Sequence, residues 1–326
     1  MVVYVLEQGA ELSVHGGRIV VKIGDEVVRS YADGSVEKII LLGNVRLSPY
    51  LISYSLRKGI EVVFLSSRGD YRGRLQGKFS KNIFLRLMQY EKCRDMNFKL
   101  SLAKEFVRGK IRNSISLLQK YRWETKNREI GEACSFLRSL LMKIEFCPSL
   151  ESLMGIEGTA AESYFRALNL CVKNDIFKFS SRTRRPPEDP ANAVLSFLYT
   201  LLFSFVESAL YKEGLDPYIG FYHSIDYGRP SLALDLMEEF RPCMDRIFLK
   251  LSNKRMLLLG DFRFFQEDEE DSAGVYLTYE GMKKVIAEFQ GQIRTRSLDS
   301  AINAQVHALS KAIKGESTYS SYILRP

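Results

Sequence analysis

"NIFLRLMQYEKCRDMNFKLSLAKEFVRGKIRNSISLLQKYRW", residues 82–123, marks a change in the hydrophobic period of the chain. Apolar residues recur every three to four positions, proline is absent and Gly109 is the only glycine. That pattern predicts one or two long amphipathic helices. Upstream the period is close to two. "VVYVL" (2–6), "ELSV" (11–14), "RIVVKI" (18–23), "EVVRSY" (26–31) and "VEKIILL" (36–42) are β-branched runs cut by turns such as "HGG", "GDE" and "ADG". They read as short strands. Ser48 as N-cap, Pro49 at the first helical position and Gly59 past the end frame one short helix. "IEVVFLS" (60–66) and "YRGRL" (71–75) then return to strand. The expectation is an α+β chain: a small β domain over residues 1–76, a connection at 77–83 and a larger all-α domain over 84–326.

Helical patterns continue to the C-terminus with one break. "RMLLLGDFRFFQEDEEDSAGVYLTY" (255–279) reads as a hairpin or loop around the acidic tip 267–271, which suits a solvated loop better than an ion site. "AVLSFLYTLLFSFVESAL" (193–210) is the longest apolar run, but its Ser, Tyr and Thr and the closing Glu207 fit a buried helix better than a bilayer span. The N-terminal "MVVYVLEQGAEL" has no basic start and no cleavage site, so a cytoplasmic, membrane-free protein is expected.

The 326 residues are 46% hydrophobic and 26% charged, a globular composition with room for about two domains. Net charge is +8, from 11 Lys/Arg against 8 Asp/Glu in residues 1–80 and 36 against 31 in the rest. The excess is spread along the chain and suits an anionic partner, most simply nucleic acid. Cysteines 93, 134, 147, 171 and 243 are scattered without a CxxC pair, which excludes a disulfide framework and a zinc-thiolate site. There is no phosphate-binding GxxxxGK[ST] loop, no GxGxxG, no GxSxG elbow and no HExxH.

Three stretches carry candidate chemistry. In "GFYHSIDYGRPSLALDLMEEFRP" (220–242) a loop histidine, His223, precedes a helix whose start is marked by Gly228 and Pro230. At helical spacing Leu232, Ala233, Leu236, Met237 and Phe240 share one side, and Asp235, Glu238 and Glu239 the other. Two carboxylates and an imidazole folding together suit Mg²⁺ or Mn²⁺; the same pattern also serves an ordinary solvated acidic face. In "SLMGIEGTAAESYF" (152–165) Glu157 shares a helix face with Ala160, Ala161 and Tyr164, amid small residues that leave space for an ion and a phosphate. The alternative is a close helix crossing with Glu157 in a structural salt bridge. In "FKFSSRTRRPPEDPANAVLSFLY" (177–199) Lys178, Arg182, Arg184 and Arg185 lie beside aromatics and prolines in a stiff basic loop suited to phosphate contacts, or else in a plain surface connection. Arg241, Arg246 and Lys250 add basic candidates after the acidic helix. His15 and His307 read as structural.

These motifs, with "LLGNVRLSPYLISYSLRKGIEVVFLSSRGDYRGRL" (41–75), occur in an order that resembles the CRISPR-associated integrase of the adaptation step, from about residue 40 to residue 290. The resemblance implies a β-sandwich-like N-terminal domain that forms the homodimer and an α-helical catalytic domain. It also implies a small ferredoxin-like companion subunit, double-stranded DNA as substrate, and a Mg²⁺ or Mn²⁺ site. The family's Glu, His and acidic ligands match Glu157, His223 and Glu238, with Asp235 at a further acidic position, as ligand or supporting residue. Glu238 stands where some members have Asp. The implied reaction is attack of a DNA 3′-hydroxyl on a phosphodiester of the repeat, which needs no protein nucleophile. Two other readings are a structure-selective nuclease for branched DNA and a non-catalytic DNA-binding scaffold.

Overall fold

The computed structural model describes residues 1–78, 82–184, 186–265 and 273–324. It has the expected α+β composition, strands up to residue 75 and helices with one hairpin from residue 83 onward. Contacts divide the chain into two units, Met1–Phe79 and Ser80–Pro326. Residues 79–81 of the anticipated connection lie outside the described residues.

The first unit contains β1 (Val2–Val5), β2 (Glu11–His15), β3 (Arg18–Ile23), β4 (Glu26–Ala32), β5 (Lys38–Leu42), β6 (Arg46–Leu47), α1 (Pro49–Lys58), β7 (Glu61–Leu65) and β8 (Tyr71–Leu75). They form two four-stranded sheets, in the orders β1-β5-β7-β8 and β4-β3-β2-β6. In the first, β1, β5 and β7 run parallel and β8 antiparallel. β2, β3 and β4 form an antiparallel meander, to which β6 adds in parallel. The sheets share a core: Val3 and Val5 of β1 and Ile39 and Leu41 of β5 pack with Leu12 of β2, Ile19 and Val21 of β3 and Leu51 of α1. β5 is buried along its whole length, as parallel strands are when both faces are covered. α1 starts as the sequence indicates: Ser48 Oγ accepts the Leu51 amide at 3.2 Å, and Gly59 closes the helix at φ 71°.

In the second unit the stretch 82–123 becomes two helices, α2 (Ile83–Lys92) and α3 (Met96–Thr125). α4 (Arg128–Glu145), α5 (Leu150–Cys171), α6 (Pro190–Glu213), α7 (Ser231–Met237) and α8 (Arg241–Asn253) follow. The hairpin expected after α8 is present: β9 (Phe262–Phe265) pairs antiparallel with β10 (Gly274–Leu277). Its acidic tip lies outside the described residues. α9 (Tyr279–Arg296), α10 (Leu298–Ile313) and a C-terminal segment complete the unit.

α6 is the axis of this unit and packs against α7, α8, α10 and β10. By length and composition it could cross a membrane, yet 83% of its apolar window is buried inside the protein, as expected for a core helix. α3 packs against α4, α5 and α8, and against a single 3₁₀ turn, Glu238–Phe240, that separates α7 from α8. The turn has a cause in sequence. Pro242 has no N–H to donate to the carbonyl four residues back, so the α-helical ladder lapses at Glu238.

Candidate metal centre

Gly220 starts the site. A Cβ at this position would lie 2.6 Å from Ser231 Cβ and 2.8 Å from Asp235 Oδ2. Only glycine lets the loop come this close to the first turns of α7. The next three amides then converge on one carboxylate. Phe221 N and Tyr222 N donate to Asp235 Oδ2 at 2.6 and 2.9 Å, and His223 N donates to Oδ1 at 2.8 Å. His223 Nδ1 lies 2.7 Å from the same Oδ1. Asp235 is fully buried. An acceptor so placed favours the imidazole tautomer with its proton on Nδ1 and its lone pair on Nε2. Asp235, expected from the sequence as a ligand or a supporting residue, has both oxygens hydrogen-bonded to the loop that carries His223.

The second half is a chain of charges across three elements. Lys110 of α3 makes an ion pair with Glu157 Oε1 of α5, and its Nζ lies 2.6 Å from Glu238 Oε2. Arg241 Nε donates to Glu238 Oε1 at 2.9 Å. Glu238 Oε2 is wholly buried and is held by the Lys110 ion pair. Burial opposes ionisation of Glu238, but Arg241, Lys110 and His223 outweigh it and hold the carboxyl below its ordinary range. Burial likewise works against the Lys110 charge, and the two glutamates outweigh it and raise the ammonium. Glu157 and Glu238 therefore meet through one ammonium, with His223 near enough to act electrostatically on Glu238. As they stand, among the described residues no three His, Cys, Asp or Glu side chains are grouped to hold an ion; a lysine cation occupies the place between the two carboxylates.

The acidic face anticipated after His223 is not solvated: Asp235, Glu238 and Glu239 are all buried. The helical wheel failed because the helix breaks at Glu238 and because the C-terminal segment covers Glu239, whose carboxylate accepts from Tyr319 Oη and Tyr322 N. Glu162 is remote, paired with Arg166 on the surface at 3.1 Å.

A buried network backs Arg241. Its guanidinium stands 4.7 Å from the centre of the Tyr199 ring. The hydroxyls of Tyr199 of α6 and Tyr164 of α5 both donate to Asp245 of α8 at 2.6 Å. Burial pushes the Asp245 carboxyl up to about 6, against the lowering effect of the two hydroxyls.

The basic residues expected on DNA divide. Lys178 and Arg184 are exposed, although Lys178 Nζ also donates to Asn169 O at 3.0 Å. Arg185 lies outside the described residues. Arg182 turns inward, donating to Asn192 Oδ1 at 2.8 Å and Ser196 Oγ at 3.0 Å. Lys250 pairs with Glu288 at 2.6 Å. Arg246 is 8% exposed. Arg182, Arg241, Arg246 and Lys250 are thus buried or already partnered in the chain alone, a feature that sequence spacing, which records charge but not burial, does not show.

Two contributors were not singled out in the sequence. Gly220 looked like any loop glycine. Lys110 carried a readable signal: it falls on the buried stripe of α3, three and four residues from Val107 and Phe106 and beside Ile111. A lysine on an apolar stripe calls for a buried anion.

A family profile described as "CRISPR associated protein Cas1" matches residues 3–291. A "CRISPR-associated endonuclease Cas1 3" of Thermus thermophilus is 40% identical over 299 residues, covering 90% of this chain and 85% of the relative. A "CRISPR-associated endonuclease Cas1 1" of Chlorobaculum tepidum is 34% identical over 295 residues, covering 88% and 84%. Among solved structures, a CAS1 protein from Thermotoga maritima superposes with a TM-score of 0.85 at 29% identity, covering 98% of this chain and 99% of that one. A casposase bound to integration product has the same fold, with a TM-score of 0.84 at 21% identity, covering 98% and 92%. The chain belongs to the Cas1 family of CRISPR-associated proteins.

Proposed function

We propose that this protein is the metal-dependent DNA endonuclease and integrase of CRISPR adaptation, inserting spacer DNA into the repeat array. The observation that carries the reading is the pair Glu157 and Glu238 drawn round one buried cation, beside a histidine whose tautomer Asp235 sets. The relatives named as endonucleases support the class of reaction.

The donor set fits Mg²⁺ or Mn²⁺: two hard carboxylates already arranged about a positive charge, and an imidazole held through Nδ1, which leaves Nε2 as its basic nitrogen. Glu157, His223 and Glu238 would hold the ion. When bound, it would offset charge on the phosphate oxygens and acidify the attacking hydroxyl. The chain's own residues do the rest. Asp235 and the 221–223 amides keep His223 in one orientation. Arg241 holds Glu238 in place, and Lys110, once displaced from the carboxylates, is a cation free to meet a phosphate oxygen. The DNA 3′-oxygen loses its proton and bonds to phosphorus, and the leaving 3′-oxygen of the cleaved strand takes a proton. With water as nucleophile the same arrangement cleaves DNA. Lys178 and Arg184 are the exposed candidates for phosphate contacts.

Partners on this reading are double-stranded DNA, a second copy of the chain through its first unit, and a small ferredoxin-like companion subunit, in the cytoplasm. Two solved neighbours of the same fold are described as "Cas6-RT-Cas1--Cas2 complex" and a partial form of it.

The test is strand transfer of a short DNA duplex with free 3′-hydroxyls into a supercoiled plasmid carrying the repeat, with the companion subunit present. Activity is expected only with Mn²⁺ or Mg²⁺ and should be lost in Glu157→Ala, His223→Ala and Glu238→Ala. DNA binding without metal response or strand transfer in the wild type would instead identify a scaffold, with the Lys110 ion network purely structural.

A further inference from the structure

The 3₁₀ turn that carries Glu238 has no side-chain cap on either flank. Pro242 has no N–H with which to continue the helical ladder through it. Part of what holds it comes from the C-terminal segment. Residues 319–324 lie across the turn and α3. Tyr319 Oη and Tyr322 N donate to the two oxygens of Glu239, the neighbour of Glu238. The Tyr322 ring stacks on Phe240 at 4.8 Å, with planes 23° apart. Asn113 of α3, one turn from Lys110, ties the three parts together. Its Nδ2 donates to Glu239 O at 2.8 Å and Tyr322 O at 2.9 Å, and its Oδ1 accepts from Leu324 N at 2.7 Å. Gly109 permits the approach, since a Cβ there would lie 2.6 Å from Ser321 Cβ and 3.0 Å from Glu239 Cβ.

These contacts grip residues 239 and 240 on both sides, by main chain and by side chain, and none touches Glu238 itself. A buried polar group keeps its place only while its hydrogen-bond partners are there. Without the segment Glu239 keeps its main-chain bond to Asn113 but loses both carboxylate donors, and the turn is released next to the residue that must point at the ion.

We propose that the C-terminal segment 319–324 is a strap that positions Glu238 through Glu239 and Phe240, making the chain's end part of the metal centre although none of its residues reaches the ion. Tyr319 and Asn113 are its positioning residues. The inference rests on the reading of Glu238 as a ligand.

The experiment measures Mn²⁺ binding directly, by the electron paramagnetic resonance signal of free Mn²⁺, in the full chain, in Tyr319→Phe, in a chain ending at Thr318, and in Glu238→Ala. Folding is followed by circular dichroism and thermal unfolding. Wild type should bind and Glu238→Ala should not. Tyr319→Phe and the shortened chain should bind on the order of tenfold more weakly, the effect usual for groups that orient ligands. A synthetic peptide of residues 316–326 added to the shortened chain should restore affinity, and the same peptide with Phe in place of Tyr319 should restore less. Tyr319→Phe alone carries the test if the shortened chain does not fold. A site that depends on Glu238 but binds Mn²⁺ equally well in folded Tyr319→Phe overturns the strap alone. Mn²⁺ binding that Glu238→Ala leaves unchanged, or no binding in the wild type, overturns the ligand assignment and the strap with it.

Discussion

Lys110 decides how the site carries its charge. Its ammonium sits between Glu157 and Glu238, and the three groups are largely buried. Removing one partner of such a group leaves charge without compensation and costs about 3–5 kcal/mol. Lys110→Met should therefore lower the unfolding free energy in metal-free buffer by roughly that amount. If the carboxylates are an ion site, millimolar Mn²⁺ replaces the lost charge and stabilises the variant more than it stabilises wild type, because a ligand that binds only the folded state adds stability by mass action. Urea unfolding with and without Mn²⁺ reads both effects. Equal Mn²⁺ increments in the two proteins would make Lys110 a structural partner only. At this scale residue type marked Glu157, His223, Asp235 and Glu238 as candidates, and only the family resemblance joined Glu157, His223 and Glu238 into one ligand set. The sequence could not separate Asp235 from a ligand, because that depends on three amides brought to it by a loop twelve to fourteen residues earlier. Of the two readings of Glu157, the salt bridge is present, made with Lys110.

The elements explain which parts of the pattern were legible. Strands β1–β5, β7 and β8, helix α1 and the hairpin β9–β10 follow from local alternation and turn residues. β6, only two residues long, is too short to carry a period. The parallel pairing of β1 with β5 is a long-range choice that no local run encodes. Helix junctions were least legible, and α7–α8 is the case that matters, since a uniform helical wheel passes through Pro242 without registering it. Where α5, α6 and α8 meet, Asp245 is locked between the Tyr164 and Tyr199 hydroxyls, and burial displaces its carboxyl from the ordinary 3.8 to about 6. A folded-state carboxyl that is raised binds its proton more tightly than the unfolded chain does. Its contribution is therefore greatest below about pH 4 and is lost as pH climbs through 6. At 1.36 kcal/mol per pH unit the loss is on the order of 3 kcal/mol. Asp245→Asn has no proton to lose. The wild-type-minus-variant difference in unfolding free energy should fall by about that amount between pH 4 and pH 6.5 and be flat above. A difference that stays constant across this range would place the Asp245 carboxyl at its ordinary value.

At the scale of the molecule, the division into Met1–Phe79 and Ser80–Pro326 puts every residue assigned to the site in the second unit. Lys110, Glu157, His223, Asp235, Glu238 and Arg241 come from α3, α5, the 220–223 loop, α7, the 3₁₀ turn and α8, all packed on the same helical core. The strap belongs to this unit as well. The first unit has a core of its own, drawn from both sheets, and lends no side chain to the ion pairs at the centre. Ion binding and assembly should therefore separate. A protein of residues 82–326 is expected to fold cooperatively and bind Mn²⁺ with the affinity of the full chain, while strand transfer into the repeat falls sharply because the first unit, proposed to make the dimer, is gone. Thermal unfolding, Mn²⁺ titration and sedimentation of the two proteins test this together. A folded 82–326 protein with weakened Mn²⁺ binding would mean that the first unit shapes the site. Full strand transfer by a monomeric 82–326 protein would remove the dimer from the mechanism.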